Sequence, residues 1–277
     1  MTAQSATVRV ITPPSGWSPL RLPDLWRGRE LLYFFAWRDV KVRYAQALLG
    51  VAWALLQPLL MMAIFSVFLG RLAKVPSDGI PYPLFALAGL LPWTFFANAV
   101  GSSTNSLVNS ATLVSRVYFP RLLLPFGALL SWLPDLAIAS LVLIVMMLVY
   151  GIAPPVTVLL LPLLAVLALL AAASVGVFLA ALNVAYRDVR YAMPFVIQLW
   201  LFATPVVYPA SLVPERVRLL FGLNPMTGVV EGFRWAFLRN GPLPWGLMGV
   251  SALTSVGLLV AGTYYFRRVE HRFADLI

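Results

Sequence analysis

Residues 156–184 of the chain read VTVLLLPLLAVLALLAAASVGVFLAALNV and contain no charged side chain. An α-helix of about 20 apolar residues crosses the roughly 30 Å hydrocarbon layer of a bilayer, because each residue adds about 1.5 Å to its length. This stretch exceeds that length. Because backbone groups inside lipid must hydrogen-bond with one another, it is predicted to be a membrane-spanning helix.

Stretches of the same character recur along the chain. Of its 277 residues, 61% are hydrophobic and 11% are charged, whereas a soluble domain has roughly 45–50% apolar and about 25% charged residues. The sequence therefore predicts an all-α polytopic membrane protein with six transmembrane helices. We place the six spans at residues 49–69, 83–100, 122–150, 156–184, 193–207 and 245–266.

The basic residues predict how these spans are oriented. Of the 20 Lys and Arg residues, 14 lie before the first span, after the last span, or in the second and fourth connections. The positive-inside rule then places both termini in the cytosol. Orientation accounts for the net charge of +10, so nucleic-acid binding is not predicted. Residues 1–23 are interrupted by prolines and lack a signal-peptide core, and we expect them to form a disordered cytosolic tail.

Three other segments are too polar to span but have helical periodicity. Residues 24–45 carry aromatic residues on two stripes, which predicts an amphipathic helix in the inner membrane interface, either an anchor or a helix that docks a partner. Residues 105–118 predict a short cytosolic helix that packs on a partner or on its own bundle. Residues 211–238, broken at Asn224–Pro225, predict two short helices that re-enter the outer half of the bilayer, with a plain external loop as the alternative.

Motifs for catalysis and metal binding do not occur in the sequence. It has no P-loop, no H-E-x-x-H, no G-x-S-x-G, no dinucleotide-binding fingerprint, no cysteine and a single histidine, His271. We therefore expect no catalytic residues and no cofactor or metal bound to this chain.

Asp135 is the one acidic residue predicted deep within a span. A charge there costs roughly 2.5–3.5 kcal/mol on insertion scales, so Asp135 should face protein or a water-filled cavity rather than lipid. Two roles stay open: coupling to an ion, and capping of a helix broken at Pro134. The aromatic side chains of the spans are expected to pack or to anchor at the interface, with stacking on sugar rings as the alternative.

Five short motifs occur in register along the chain. VRYAQALLGVAWALLQP, residues 42–58, resembles the R-Y-x4-L-G-x2-W-x4-P signature of the permeases of type-2 ABC exporters for polysaccharide, O-antigen and teichoic acid. The further matches are SRVYFPRLLLP at 115–125, NVAYRDV at 183–189, ATPVVYP at 203–209 and LNPM at 223–226. The resemblance covers nearly all of the chain from Leu31. It departs from the family in the longer proline-rich tail and in Ala52, where an aromatic residue often precedes the tryptophan.

This resemblance implies that residues 24–277 are one transmembrane domain, a transport subunit and not an enzyme. The family works as a permease homodimer with two copies of a separate ATPase subunit, which binds the ATP and Mg. Residues 24–45 would be the interface helix, 105–118 the coupling helix that inserts into the ATPase, and 211–238 the re-entrant pair. The implied substrate is a polysaccharide on undecaprenyl diphosphate, carried from the cytosol across the bacterial inner membrane through a channel between the two permeases.

Two sets of candidate residues accompany this interpretation. The candidates for coupling to the ATPase are Asn105, Leu107, Ala111, Val114, Ser115, Arg116, Arg121, Arg38 and Asp39. The candidates for the substrate entrance and channel are Arg43, Tyr44, Trp53, Trp93, Phe96, Arg187, Trp200 and Tyr208. Two alternatives to the exporter are an ion-coupled lipid flippase that uses Asp135 and a membrane glycosyltransferase that uses the external carboxylates Asp78, Glu215 and Glu231.

Overall fold

The computed structural model describes residues 26–45, 52–239 and 241–273, and in these ranges the chain is helical with no β-strand. The predicted tail, residues 1–23, and the beginning of the predicted first span, residues 49–51, lie outside the described residues. The α-helices are α1 (Arg29–Tyr44), α2 (Ala52–Phe65), α3 (Tyr82–Asn109), α4 (Ala111–Arg116), α5 (Leu123–Leu130), α6 (Leu133–Val149), α7 (Leu161–Ala185), α8 (Val189–Ala203), α9 (Glu215–Phe221), α10 (Pro225–Leu238) and α11 (Trp245–Val269).

Five helical stretches of the described chain are long and apolar enough to cross a membrane. They are Leu55–Leu72, Tyr82–Asn109, Leu123–Val149, Val156–Ala185 and Trp245–Arg272. An all-α polytopic protein is thereby confirmed. The fifth predicted span, residues 193–207, corresponds to α8, which has 15 residues and ends at Ala203. The helix stops there because Pro205 disfavours the helical conformation at Thr204, which is extended.

The predicted span at 122–150 consists of two helices with a break at Ser131 and Trp132. Pro134 lies in the first turn of α6. A proline at this place has no N–H to donate, and its ring clashes with the carbonyl four residues earlier, so the helix cannot run on unbroken from α5. The break leaves backbone carbonyls near Ser131 available to other donors.

The predicted separate coupling helix at 105–118 is wrong at its beginning. Helix α3 continues to Asn109, and only the six residues of α4 form a helix of their own. Polar side chains around residue 105 are accommodated in α3 because they donate to its carbonyls: Thr104 Oγ1 to Val100 O at 2.7 Å, Asn105 Nδ2 to Gly101 O at 2.9 Å and Ser106 Oγ to Ser103 O at 2.7 Å. A polar sequence can therefore remain helical inside the bundle.

Helix α1 uses only one of its two predicted stripes to pack on the bundle. Phe35 is buried against α5, where a side chain at Gly127 would put its Cβ 2.9 Å from the Cβ of Phe35. Tyr33 and Trp37 of the other stripe are exposed and their rings stack with centroids 6.5 Å apart, whereas Tyr44 of the same stripe is partly buried. One side of α1 thus belongs to the core and the opposite side presents aromatic rings.

Helix α3 is the centre of the bundle, with most of its side chains buried against α5, α6, α7 and α10. Helix α7 approaches it closely because its buried side chains are mainly alanine, serine and glycine, the residue types that let membrane helices pack tightly. At Gly176 an added Cβ would lie 2.8 Å from Ser103 Oγ of α3. The contact between α3 and α7 therefore depends on a glycine at this position.

We expect Gly176→Leu to destabilise the protein, because overfilling a packed contact costs about 1–3 kcal/mol. The measurement is the thermal unfolding midpoint of the purified protein in detergent. Gly257→Leu is the matched control, since that glycine is mid-helix in α11 and has nothing within 4 Å of an added Cβ. Equal midpoints for the two variants would contradict the assigned contact.

Candidate functional site

The first charged cluster joins the end of α1 to the break between α5 and α6, and we name it the Arg43 cluster (Arg43, Tyr44, Ser131, Trp132 and Asp135). Arg43 Nη1 donates to Asp135 Oδ2 at 2.6 Å and to Ser131 O at 3.2 Å, and Nη2 donates to Ser131 Oγ at 2.9 Å. The guanidinium also lies over the Trp132 ring, 3.4 Å from its centroid. The side chains and the carbonyl that accept hydrogen bonds from this cation come from a segment about ninety residues away in sequence.

The sequence suggested that Asp135 is a lone acid within the membrane, but the structure pairs it with Arg43. Its second oxygen accepts a hydrogen bond from the Tyr44 hydroxyl, and burial, together with this carboxylate, raises the pKa of Tyr44 to about 12. The phenol thus keeps its proton at physiological pH and remains a donor. The Asp135 side chain is 12% exposed and that of Arg43 is 22% exposed. The basic partner of Asp135 is Arg43 of α1, which lies outside the predicted spans.

The Arg43 cluster also reaches the central helix. Trp132 Nε1 donates to Ser102 Oγ of α3 at 2.9 Å. A chain of contacts therefore runs from α1 through Arg43 and Trp132 to α3. This arrangement positions helices and holds both oxygens of the carboxylate in place.

The residues predicted to couple to an ATPase fall into buried and exposed groups. Leu107 and Val114 are buried in the bundle, so a role in direct docking is not available to them in this conformation. Ser115 and Arg116 are exposed at the end of α4. The chain leaves the helix at Val117, which is extended, and this turns Tyr118 outward to 81% exposure. Residues 115–118 form the exposed α4 tip.

The remaining coupling candidates are held by internal contacts. Asn105, besides its bond within α3, lies 3.4 Å from Asn183 Nδ2, and Ala111 is partly buried. Arg121 donates to the carbonyl of Glu270, next to Phe273 at the end of the described chain. Arg38 and Asp39 pair with each other on α1, with Arg38 Nη2 2.8 Å from Asp39 Oδ1.

Some of the channel candidates are buried in the bundle and others are exposed at its surface. Trp93 and Phe96 of α3 are buried, and their rings form a ladder with Trp200 of α8, with centroid distances of 5.5 and 5.3 Å. Phe96 has no exposed surface, so it offers no ring to a substrate in this conformation. Trp200 is half-buried. Trp53 lies in the first turn of α2, and Arg187 is exposed on the turn between α7 and α8.

A second charged cluster, which the sequence analysis missed, surrounds Arg234 of α10, and we name it the Arg234 cluster. Arg234 is only 5% exposed. Its Nη1 binds Glu231 Oε1 at 2.8 Å and Tyr208 O at 3.2 Å, and its Nη2 donates to Val206 O. The guanidinium lies over Phe85 of α3, 3.9 Å from the ring centroid.

The Arg234 cluster holds the irregular segment 204–209, which contains the ATPVVYP motif. Tyr82 Oη of α3 donates to Val207 O at 2.8 Å, and Asn224 Nδ2 donates to Thr204 Oγ1 at 2.8 Å. Asn224 Oδ1 also caps α10 by accepting from Met226 N at 3.0 Å. The half-buried Tyr208 donates to Phe202 O at 3.1 Å. Side chains from α3 and α10 therefore satisfy backbone carbonyls of the irregular segment that follows α8.

The sequence contains a pattern that indicates the Arg234 cluster, although the positive-inside count treats Arg234 as an external surface charge. Arg234 stands in an otherwise apolar stretch, GVVEGFRWAFL, three residues after the acidic Glu231. An ion pair at this spacing in an apolar helix is typical of a buried pair, because neighbours three residues apart lie on the same face. Counting Arg234 among the external basic residues concealed this pattern.

Sequence comparison identifies the family. The ABC-2 type transporter family profile matches residues 30–238, most of the chain. The chain belongs to the ABC-2 type transporter family. The O-antigen export system permease protein RfbA of Myxococcus xanthus is 31% identical over 258 residues, which cover 92% of this chain and 98% of that protein. A protein of the same name from Klebsiella pneumoniae is 28% identical over 249 residues, 90% of this chain and 95% of that protein.

A more distant relative is the polysialic acid transport protein KpsM of Escherichia coli. It is 23% identical over 202 residues, 73% of this chain and 78% of that protein. These relatives confirm the resemblance to permeases of type-2 ABC polysaccharide exporters. The matched part of this ABC-2 family member runs from α1 to α10, so it contains both the Arg43 and the Arg234 clusters.

We expect Arg234→Lys to loosen the segment 204–209 although the charge is kept. A lysine ammonium cannot reproduce the planar fork that reaches Glu231 and two carbonyls, and each hydrogen bond to a charged group contributes about 1.5–3 kcal/mol. The measurement is the thermal unfolding midpoint together with protease cleavage within 204–213. Arg216→Lys, at an exposed arginine of α9, is the control.

Gly89→Ala should disrupt the same contact between Arg234 and Val206, since its Cβ would lie 2.6 Å from Val206 O and 2.8 Å from Arg234 Nη2. It should reproduce the lower midpoint and the faster cleavage of Arg234→Lys. Wild-type behaviour of both variants would show that the cluster does not hold this segment.

Proposed function

We propose that the chain is the membrane subunit of an ATP-driven exporter that moves a polysaccharide linked to undecaprenyl diphosphate from the cytosol across the bacterial inner membrane. The named functions of the relatives, O-antigen export and polysialic acid transport, support a glycan as cargo. The family membership and the long apolar helices support a membrane transport subunit. The two termini then lie in the cytosol, as the distribution of basic residues predicts.

In this proposal the chain crosses the membrane six times, and α8 together with 204–213 makes the fifth crossing. A helix of 15 residues measures about 22 Å, which is shorter than the hydrocarbon layer. Irregular backbone at membrane depth requires protein partners for its polar groups. Arg234, Tyr82 and Asn224 supply such partners, which supports a re-entrant position for α9 and α10 at the outer side.

The ATPase partner is proposed to bind at the α4 tip. The observation that carries this proposal is that α4, whose end forms the tip, follows the mostly buried helix α3 and is separated from it by the single residue Ser110. A displacement of the α4 tip by the ATPase would therefore also displace α3, the central helix of the bundle. No P-loop occurs in this sequence, so ATP and Mg would be bound by the partner.

The working unit would contain two permeases and two ATPase subunits, with the channel between the permeases. A second route for motion leads through α1, which the Arg43 cluster connects to α6 and α3. ATP-driven closure of the ATPase dimer would then move α3 and α1 together. Because these helices are joined by an ion pair and an indole hydrogen bond, the two routes should act as one rigid body.

Neither alternative function gains support from the contacts of the carboxylates. A flippase that couples to an ion through Asp135 needs that carboxylate to exchange protons or cations, whereas both of its oxygens accept hydrogen bonds from α1. A glycosyltransferase needs external carboxylates for its substrates. Glu231 is paired with Arg234, and Asp78 accepts from Ser211 Oγ at 2.9 Å.

The double variant Arg116→Glu/Tyr118→Ala tests the docking site. Replacing central contact residues of an interface costs about 2 kcal/mol or more, so capture of the ATPase by the tagged permease should weaken by about tenfold or more. Polysaccharide at the cell surface should fall in parallel, while the amount of permease in the membrane stays unchanged.

The matched control carries the same substitutions at exposed residues elsewhere, Arg216→Glu/Tyr150→Ala. It should capture the ATPase and export normally. Unchanged capture by the α4 variant would exclude the tip as the docking site. A deletion strain that still exports its polysaccharide would exclude the proposed function itself.

A further inference from the structure

The turn between α7 and α8 reads YRDVRY, residues 186–191, and places two arginines between two tyrosines. All four side chains are exposed. Neither Arg187 nor Arg190 forms an ion pair with any residue in the described ranges. The arginines of the two charged clusters, in contrast, are each engaged by a carboxylate. This turn therefore presents positive charge that the fold itself does not use.

A cavity of about 350 Å³ opens at this turn. Val108 and Ala111, from the end of α3 and the start of α4, line one side, and Asn183, Arg187, Arg190 and Tyr191 line the other. No carboxylate belongs to the lining, although Asp188 lies between the two arginines in sequence. Guanidinium groups bind phosphate oxygens through paired N–H donors, so two of them in one cavity are suited to a phosphorylated anion.

The two tyrosines indicate where this anion lies relative to the membrane. Tyrosine is enriched at the membrane–water interface, because its ring is apolar and its hydroxyl is polar. Tyr186 and Tyr191 follow the end of α7 and precede the apolar part of α8. Tyrosines on both sides of the arginines therefore favour a position at the level of lipid headgroups, where a phosphate attached to a lipid is available.

A second, apolar cavity begins at the same turn and extends into the membrane. It has a volume of about 500 Å³ and is lined by residues of α7, α8 and α11, among them Phe178, Leu182, Val189, Met193, Trp200 and Ala261. Along α8 it extends from Val189 to Trp200, about 16 Å at the usual helical rise. Leu182 and Val189 line the apolar cavity, while their sequence neighbours Asn183 and Arg190 line the basic one.

We propose that this turn binds the diphosphate head of the lipid-linked substrate, with Arg187 and Arg190 on the phosphate oxygens and the isoprenoid chain in the apolar cavity beside α8. The inference rests on the proposed function, since it takes the lipid end of that substrate as the ligand. A molecule with a phosphorylated head and a long apolar chain matches the chemistry of both cavities. An acidic side chain of the ATPase would bind only in the basic cavity and would leave the apolar cavity empty.

The test uses the permease purified with its ATPase partner in nanodiscs of phosphatidylcholine. Bound undecaprenyl diphosphate is measured for the native complex, for Arg187→Gln/Arg190→Gln, and for the matched pair Arg71→Gln/Lys74→Gln, which removes two exposed charges elsewhere. Loss of two charge-assisted contacts should weaken binding by about tenfold or more in the first variant only. Capture of the ATPase and its basal hydrolysis should remain unchanged.

Competition distinguishes the sources of phosphate. Undecaprenyl monophosphate should compete more weakly than the diphosphate, and inorganic pyrophosphate or phosphatidylglycerol at equal concentration should displace little. Equal binding by the two double variants, or full displacement by phosphatidylglycerol, would overturn the site. Loss of ATPase capture with intact lipid binding would instead assign the arginines to the partner.

The proposed function can fail separately from this site. If the native complex neither captures an ATPase nor supports export, the exporter itself is excluded. If capture and export are normal while the arginine variant still binds the lipid diphosphate, only the site is excluded.

Discussion

The structure depends on one constraint: inside a bilayer there is no water to satisfy a polar group, so each one must find its partner in the protein. The constraint explains why long segments are helices. It also explains the departures from regular helix. The polar segment from Thr104 to Ser106 bonds to the carbonyls of α3, and the irregular segment 204–209 is satisfied by side chains of α3, α10 and the α9–α10 junction.

The same constraint explains why two arginines, the partly buried Arg43 and the buried Arg234, each connect separate helices. Arg43 connects α1 to the break that Pro134 imposes between α5 and α6, and Arg234 connects α10 to the segment that follows α8. In both places an arginine meets a carboxylate, freed backbone carbonyls and an aromatic ring. Arg187 and Arg190 of the α7–α8 turn have no carboxylate partner in the described ranges, and they are assigned to a ligand because both line one cavity that contains no carboxylate.

Sequence patterns predicted the features that depend on neighbouring residues. Apolar length located five spans, and Asn224–Pro225 located the junction of α9 and α10. Patterns could not show that Arg43 and Asp135 pair, because the two residues lie 92 positions apart and only the packing of α1 on α5 brings them together. The polarity of residues 105–109 led to the wrong prediction that a separate helix begins at Asn105, since composition does not reveal whether Asn105 bonds to water or to its own helix. The sequence also could not show that Phe96, a channel candidate, is fully buried, because its burial depends on which face of α3 packs against α8.

The central claim is that charges at membrane depth serve as paired joints between helices, and a double-mutant cycle on Arg43 and Asp135 tests it most directly. Removing one partner of a buried pair costs up to about 3–5 kcal/mol because the other charge is left without compensation, whereas replacing both with apolar residues is often nearly neutral. The account predicts that Arg43→Leu and Asp135→Leu each lower the unfolding midpoint strongly and that the double variant recovers most of the loss. Additive losses in the double variant would contradict it.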